Sequence, residues 1–321
     1  MKANKKACYA LVFPGQGSQY VGMGLDIATE FSSAKEIFES SEQITNLAIR
    51  DISFFDPEDN LMETSITQPC LLTTSIAFYT VFQKQFPVKP EFICGHSAGE
   101  YAALVAAGIL SFSDAVHLIQ IRGSLMSKMQ QGSMVAFKKV TLKEVERLCR
   151  KAIQPGGVLV TANLNSPEQI VISGDNDSIE EAILLAFENN IEAIPLPVSG
   201  AFHSPLMQEA AQEFAVETHK VQFNDATVPV ISNVTAQPTI NGYKWTRLLE
   251  QQMTSAVYWE SSIRYIQNQG IEIFVEVGPG QVLSKLIRKI VPSALILNVE
   301  DINSLHTTLV ELEEVFETEL V

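Results

Sequence analysis

Over the first 130 residues short apolar runs alternate with longer stretches of helical period, the rhythm of an α/β unit. Ala7 to Phe13 reads as a buried strand, Asp26 to Ser41 as a helix, and Asp51 to Ser65 as an irregular acidic loop. Gln68 to Phe86 follows as a long apolar helix, Glu91 to Gly95 as a strand, and Ala98 to Ala107 as a helix starting directly after it. Ser113 is placed to cap the next helix, which runs to about Met129.

The rhythm changes at Met134. Strand (Met134 to Val140), helix, strand (Val158 to Ala162), strand (Gln169 to Ser173), helix (Ser178 to Asn190) and strand (Ala193 to Val198) follow within about 65 residues. The order βαββαβ is the ferredoxin-like pattern, and the capping box Thr141-x-x-Glu144 marks the start of its first helix. After Gly200 the α/β character returns, with a helix from Ser204 to about Lys220, strands at Val228 to Ser232 and Ile271 to Val277, a helix after Gly278-Pro279-Gly280, and an acidic helix from Ser304 to Glu319. The expected organisation is a large α/β domain from residues 1–130 and 200–321, interrupted by a small α+β subdomain at 131–199.

Composition narrows the partners. A net charge of −15 gives no electrostatic footprint for a phosphate backbone, so nucleic acid is not expected. Much of that charge is local, since Ile290 to Val321 carries seven acids and no Lys or Arg. No run approaches 18 uncharged apolar residues, so no membrane span is expected. Lys2 to Phe13 faintly imitates an export signal, but its apolar run is short and ends in Pro14-Gly15 without a cleavage site, and it reads as the first strand. Cys8, Cys70, Cys94 and Cys149 show no metal spacing and sit in apolar runs. They are expected to be buried free thiols of a reducing, cytoplasmic compartment.

The chemistry centres on Gly95-His96-Ser97-Ala98-Gly99, a G-x-S-x-G sequence between a strand and a helix. A sharp turn there lifts Ser97 above the sheet, and the first turn of the following helix offers free N–H groups to a developing oxyanion. Ser97 needs a base. His96 should point away from its hydroxyl, and His117, His219 and His306 fall inside helices. His203, in the loop Gly200 to Pro205 just before a helix, is the best candidate. Phe13 to Gln19 holds two glycines after the first strand; it is neither a dinucleotide fingerprint nor a P-loop, and reads as a second source of oxyanion N–H groups or as a plain turn.

One helix carries an anomaly. Ala115, Leu118, Ile119, Arg122, Leu125, Met126 and Met129 form one inward stripe, with Arg122 in its middle. A buried guanidinium needs an anionic partner, either a protein carboxylate, the reading the residues alone favour, or a substrate carboxylate held bidentately.

Taken together, these motifs resemble the malonyl-CoA:acyl-carrier-protein transacylases, the acyltransferase family of fatty acid and polyketide synthesis. The resemblance rests on Phe13 to Gln19, Thr67-Gln68-Pro69, Gly95 to Tyr101, Arg122-Gly123, Ala201 to Met207, Ser232 to Thr235 and Glu276 to Gly280, and covers nearly the whole chain. It implies an α/β-hydrolase-like core with a ferredoxin-like subdomain. It implies that Ser97 takes the malonyl group as an ester, with His203 as base and acid. The N–H groups of Gln16 and Ala98 would form the oxyanion hole, Arg122 would hold the free malonyl carboxylate, and the Gln252 main-chain carbonyl, seven residues before Trp259, would orient the histidine. A dyad without a carboxylate suffices because thioester to oxoester exchange is nearly balanced.

The resemblance also makes Phe202, one residue before the base, a limit on the acyl α-carbon, and implies no cofactor and no metal. The partners implied are malonyl-CoA and an acyl carrier protein. Lys285, Arg288 and Lys289 form the densest basic patch for docking that protein after the N-terminal lysines. Ala98 stands where the family often has a larger aliphatic residue, and Tyr258 where Gln is common before Trp259. Two rivals use the same serine and histidine or neither: a hydrolase clearing acyl groups from carrier proteins, and an inert docking module. A buried cation that selects a carboxylate is of no use to the first, and an intact Ser, His and Arg are not required by the second.

Overall fold

The computed structural model describes residues 7–198 and 200–317. Lys2, Lys5 and Lys6 of the expected basic start, and Glu319 of the last helix, lie outside the described residues.

The central strand β1 (Tyr9–Phe13) is fully buried along its length, as a parallel strand covered on both faces must be. Period-two alternation divides its side chains: Tyr9, Leu11 and Phe13 enter one core, Ala10 and Val12 another. On one side β1 pairs with β2 (Phe92–Gly95), on the other with β9 (Ile273–Val277). The six-stranded sheet continues from β9 to β10 (Leu295–Val299), and from β2 to β7 (Val230–Ile231) and the antiparallel β8 (Pro238–Thr239). The chain thus leaves β1 in one direction first and returns on the other side later. That puts a topological switch point at the C-terminal ends of β1 and β9, where open α/β sheets bind their ligands, and the C-terminal end of β2 lies next to it.

Helices cover both faces. α1 (Leu25–Glu30) and α2 (Ser32–Thr45) replace the single helix expected over 26–41, because Phe31 between them is extended. α3 (Ile49–Phe55) occupies part of the stretch expected to be an irregular loop, since Ile49 and Ile52 are buried against the core. The first core also receives α4 (Thr64–Gln85), α5 (Gly99–Ala106), α6 (Phe112–Lys128), α9 (Gln208–Thr218), α10 (Tyr243–Thr254) and α13 (Ile302–Glu317). α11 (Trp259–Asn268) and α12 (Val282–Ile290) cover the other face. Ser111, not Ser113, caps α6 by accepting from the Asp114 N–H.

Residues 133–195 build a second, four-stranded antiparallel sheet from β3 (Ser133–Lys138), β4 (Leu159–Ser166), β5 (Gln169–Gly174) and β6 (Glu192–Pro195), in the order β4-β5-β3-β6. Its helices are α7 (Leu142–Ala152), started by the expected capping box at Thr141, and α8 (Asn176–Glu188), capped by Asp175. Order and pairing are those of the ferredoxin-like arrangement. The two sheets are stitched together where Val257, just before α11, hydrogen-bonds to Ala162 and Leu164 of β4.

Among the described residues no helix is long and apolar enough to cross a membrane. Cys70, Cys94 and Cys149 are free thiols and buried, and Cys8 is half-buried. Burial raises the Cys70 and Cys149 thiols to about 12, so neither is a ready nucleophile.

Candidate active site

Ser97 sits at the turn between β2 and α5, and two glycines make that turn possible. A Cβ on Gly95 would overlap the Gly99 carbonyl, and a Cβ on Gly99 would overlap the Phe13 carbonyl. Their absence lets the turn close on itself and lie against the end of β1. Ser97 itself is held at φ 50°, in the left-handed region that a residue with a Cβ adopts only when its surroundings impose it. His203 is held the same way, at φ 57°.

These two strained residues meet. Ser97 Oγ lies 2.8 Å from His203 Nε2, and His203 Nδ1 lies 2.8 Å from the Gln252 main-chain oxygen. A carbonyl can only accept, so Nδ1 carries the proton and Nε2 is left free to accept from the serine. Burial pushes the His203 imidazole down to about 3, and the nearby Arg122 charge adds to the effect. The ring is therefore neutral and able to take a proton at any working pH.

Arg122 is fully buried on α6, on the predicted inward stripe, with Met129 only half-buried at the helix end. Its Nη1 donates to Gln68 Oε1 at 2.8 Å, and its Nη2 to Gln252 Oε1 at 2.9 Å and Ser97 Oγ at 3.1 Å. Its Nε has no partner among the described residues. No ion pair within 4.0 Å joins Arg122 to a carboxylate among them. The protein carboxylate that the residues alone favoured as its partner is not there: Glu100 is near enough to act through space, but the Gln252 amide stands between them. Gly123 explains how the guanidinium reaches this spot. A Cβ there would fall 3.0 Å from the Thr64 oxygen and 3.1 Å from the Ser65 Cα, so a larger residue would push α6 off the first turn of α4, and Arg122 away from Gln68.

A cavity of about 80 Å³ opens beside Ser97, lined among others by Gln16, Gln68, Ala98, Met126, Phe202 and His203. It has room for a short acyl group. Among the described residues, the main-chain N–H groups of Gln16 and Ala98 donate to no protein acceptor, while the Gln16 side chain is tied to Thr64 Oγ1 at 3.0 Å. His96 bonds Asn165 Oδ1 at 2.8 Å and packs edge-on against Trp259, away from the serine hydroxyl as expected. His117 and His306 are exposed on helices, while His219, expected inside one, is exposed in the turn that ends α9.

Four residues at the site were given no role from sequence: Gln68, Glu100, Asn233 and the side chain of Gln252. Gln68, Glu100 and Asn233 stand inside motifs quoted for the resemblance, but their place there names no role. Gln252 carried a readable signal. Trp245, Leu248, Leu249, Gln252 and Met253 are the buried stripe of α10, at i, i+3, i+4, i+7 and i+8, and a polar residue in such a stripe is the same anomaly that exposed Arg122.

The basic residues Lys285 and Lys289 line a groove of about 260 Å³ together with Lys138 and Lys139 from the second sheet, and Lys289 reaches Glu168 at 3.4 Å. Arg288 does not line that groove. Among the described residues no cluster of three His, Cys, Asp or Glu could hold a metal ion.

An α/β sheet with a serine turn beside its switch point and a short-acyl cavity defines an acyl-handling protein, and comparison places it: the chain belongs to the acyl transferase family, whose acyl transferase domain it matches over residues 10–310. It is 38% identical to the malonyl CoA-acyl carrier protein transacylase of Bacillus subtilis, covering 95% of this chain and 97% of that protein. Its fold superposes on the crystal structure of the malonyl CoA-acyl carrier protein transacylase of Clostridium perfringens with a TM-score of 0.91, at 36% identity, over 96% of this chain and 98% of the other. A malonyl-transacylase solved in complex with a type II PKS acyl-carrier protein matches with a TM-score of 0.91, at 33% identity, over 95% of this chain and all of that one.

Proposed function

We propose that the protein transfers a malonyl group from malonyl-CoA to the phosphopantetheine thiol of an acyl carrier protein, through an ester on Ser97. The observation that carries the reading is that one hydroxyl, Ser97 Oγ, is shared by a neutral histidine at 2.8 Å and a buried arginine at 3.1 Å that pairs with no carboxylate among the described residues. The relatives' names support the substrate pair.

In the first half-reaction His203 Nε2 takes the Ser97 proton as Oγ attacks the thioester carbon. The oxyanion faces the N–H groups of Gln16 and Ala98, and collapse expels the CoA thiolate, which leaves with the proton from His203. In the second half the carrier thiol gives its proton to His203 and attacks the seryl ester, and Ser97 recovers a proton as it leaves. Gln252 holds His203 in the right tautomer by its main-chain oxygen. Arg122 turns from its neutral acceptors to the malonyl carboxylate, a charged acceptor that its planar fork fits better. All of this is side-chain and backbone chemistry, and it asks for no cofactor and no metal. Residues 1–130 with 200–321 act as the catalytic domain and 131–199 as a subdomain closing the cavity, in the cytoplasm.

The test is to supply malonyl-CoA with and without holo carrier protein and to follow both malonyl-carrier protein and free malonate. The reading expects label on the carrier protein and little free malonate. Malonate released at the same rate with or without the carrier would instead identify a hydrolase.

The acid limb of the pH profile follows from His203. Because burial and Arg122 both hold its pKa far below 6.5, kcat/KM for malonyl loading should stay level as pH falls through 6.5. Once a malonyl carboxylate neutralises Arg122, one of the two downward effects is removed, so the limb in kcat should lie at higher pH than that in kcat/KM. A kcat/KM that halves near pH 6.5 would contradict the assignment.

Phe202 is 5% exposed and lines the cavity beside His203, so it limits bulk at the acyl α-carbon. Phe202→Ser should improve methylmalonyl transfer relative to malonyl, by about 1 to 3 kcal/mol at most, the worth of a methyl group in a pocket. An unchanged ratio would place the steric limit elsewhere.

The lysine groove is the proposed landing site for a carrier protein, an acidic partner that this acidic chain must attract locally. Lys285, Lys289 and the flanking Arg288 come from α12, with Lys138 and Lys139 opposite. Reversing Lys285 and Lys289 to Glu should raise KM for the carrier protein and leave loading from malonyl-CoA within about twofold, since charges at an exposed rim act mainly on encounter. Equal damage to both half-reactions would mean the lysines serve only the fold.

A further inference from the structure

Glu100 stands three residues after Ser97 in the first turn of α5, is 0% exposed, and has no part in the mechanism above. Both its oxygens face donors: Oε1 accepts from the Asn233 N–H at 2.7 Å and Oε2 from Gln252 Nε2 at 2.6 Å. No Lys, Arg or His lies within 4.0 Å of it among the described residues. Burying a carboxyl without a cation is costly, and the cost would be gratuitous if the group only filled space.

Its two partners grip the serine turn from opposite sides. Asn233 accepts from the Ser97 N–H at 2.7 Å and donates to the Gly95 oxygen at 2.6 Å. Gln252 donates to the Ser97 oxygen at 3.0 Å, accepts from Arg122 Nη2 at 2.9 Å, and receives His203 Nδ1 on its main-chain oxygen. A glutamine amide has two ends of similar shape and opposite polarity. Burial pushes the Glu100 carboxyl up to about 8, but with a donor facing each of its oxygens it accepts on both sides, and with a donor-only guanidinium at the other end of the amide only one orientation satisfies both neighbours.

We propose that Glu100 is a positioning residue: it fixes the Gln252 amide, and through that one side chain it aims Arg122 at Ser97. The proposal rests on the function given above. Glu100→Gln keeps the shape but places an NH₂ against a donor whichever way it turns. If the Gln252 amide flips to compensate, its own NH₂ meets the Arg122 guanidinium instead. The mismatch therefore lands on the malonyl carboxylate's partner and less on the Ser97–His203 pair.

Single-turnover loading from malonyl-CoA and from acetyl-CoA, read by intact-protein mass on the full chain, tests this in wild type, Glu100→Gln, Gln252→Ala and the double variant, with melting temperatures alongside. Each single variant should slow malonyl loading by about 10- to 100-fold, the scale of a small misplacement of a reacting group, and lower the malonyl-to-acetyl ratio. The double variant should be no slower than the slower single, because both break one chain of contacts. Glu100→Gln loading malonyl within about twofold of wild type overturns the proposal. So do losses that multiply in the double variant, or equal losses for malonyl and acetyl with a lowered melting temperature. Gln252→Ala leaves Glu100 its Asn233 partner and keeps the test open if Glu100→Gln melts below the assay temperature; an unchanged malonyl-to-acetyl ratio there also overturns it. A wild type that takes up no malonyl would instead overturn the function itself.

Discussion

Ser97→Ala should take up no malonyl from malonyl-CoA and should fold as the wild type does. Among the described residues no other hydroxyl, thiol or amine lines the cavity beside His203 to replace the lost nucleophile. The fold should survive because the strained φ of 50° is already borne by a residue with a Cβ, and alanine keeps that Cβ. What goes is a pair of hydrogen bonds, to His203 and from Arg122, worth about 1 kcal/mol each in net stability. Loading should fall by more than about 10⁴, as it does when a nucleophile is removed from a unit that works together. A Ser97→Ala protein that still loads malonyl would move the nucleophile elsewhere.

Arg122→Ala separates the two substrates. Without the guanidinium the malonyl carboxylate would enter a desolvated cavity unpaired, at a penalty of about 2 to 5 kcal/mol, so malonyl loading should drop by roughly 30-fold to several thousand-fold. Acetyl carries no such carboxylate, and Arg122→Ala also removes a buried charge that stays without an anionic contact while acetyl is bound. Acetyl loading should hold or rise. Stability should fall only moderately: Gln68 and Gln252 each lose a donor, about 1 to 3 kcal/mol each, against which stands the relief of removing a desolvated guanidinium. Had Arg122 been paired with a protein carboxylate, both activities would fall together with a large drop in melting temperature, and that pattern would end the argument for malonyl.

Much of this was legible in the sequence where the signal was local. The buried run of β1, the Gly95 to Gly99 turn, the capping box at Thr141 and the βαββαβ order each depend on residues close together in the chain, and each appears where the pattern put it. The family resemblance, once the motifs are in order, holds over residues 10–310. The misses have physical causes of two kinds. α1 and α2 part at Phe31 because a single extended residue interrupts a pattern that stays amphipathic on both sides. α10, α11 and the short strand β10 were not expected, although the stripe from Trp245 to Met253 has ordinary helical periodicity.

The other misses are long-range. Gln68, Glu100 and Gln252 are up to 184 residues apart, and no spacing tells which polar groups will share a buried network. Arg122 shows the limit most clearly. Its place on an inward stripe was readable, but whether a carboxylate stood opposite was not, because the answer depends on a Gln252 amide that reaches in from another helix.

The central claim is that Ser97 itself carries the malonyl group between donor and acceptor. Its most direct test is to mix the wild-type protein with malonyl-CoA, quench with acid within a turnover, digest, and locate the added malonyl mass by peptide sequencing. The account predicts one malonyl group, on Ser97, that disappears from that peptide when holo carrier protein is added before the quench. Malonyl found on another residue, or a Ser97 peptide that never carries it while transfer proceeds, would contradict it.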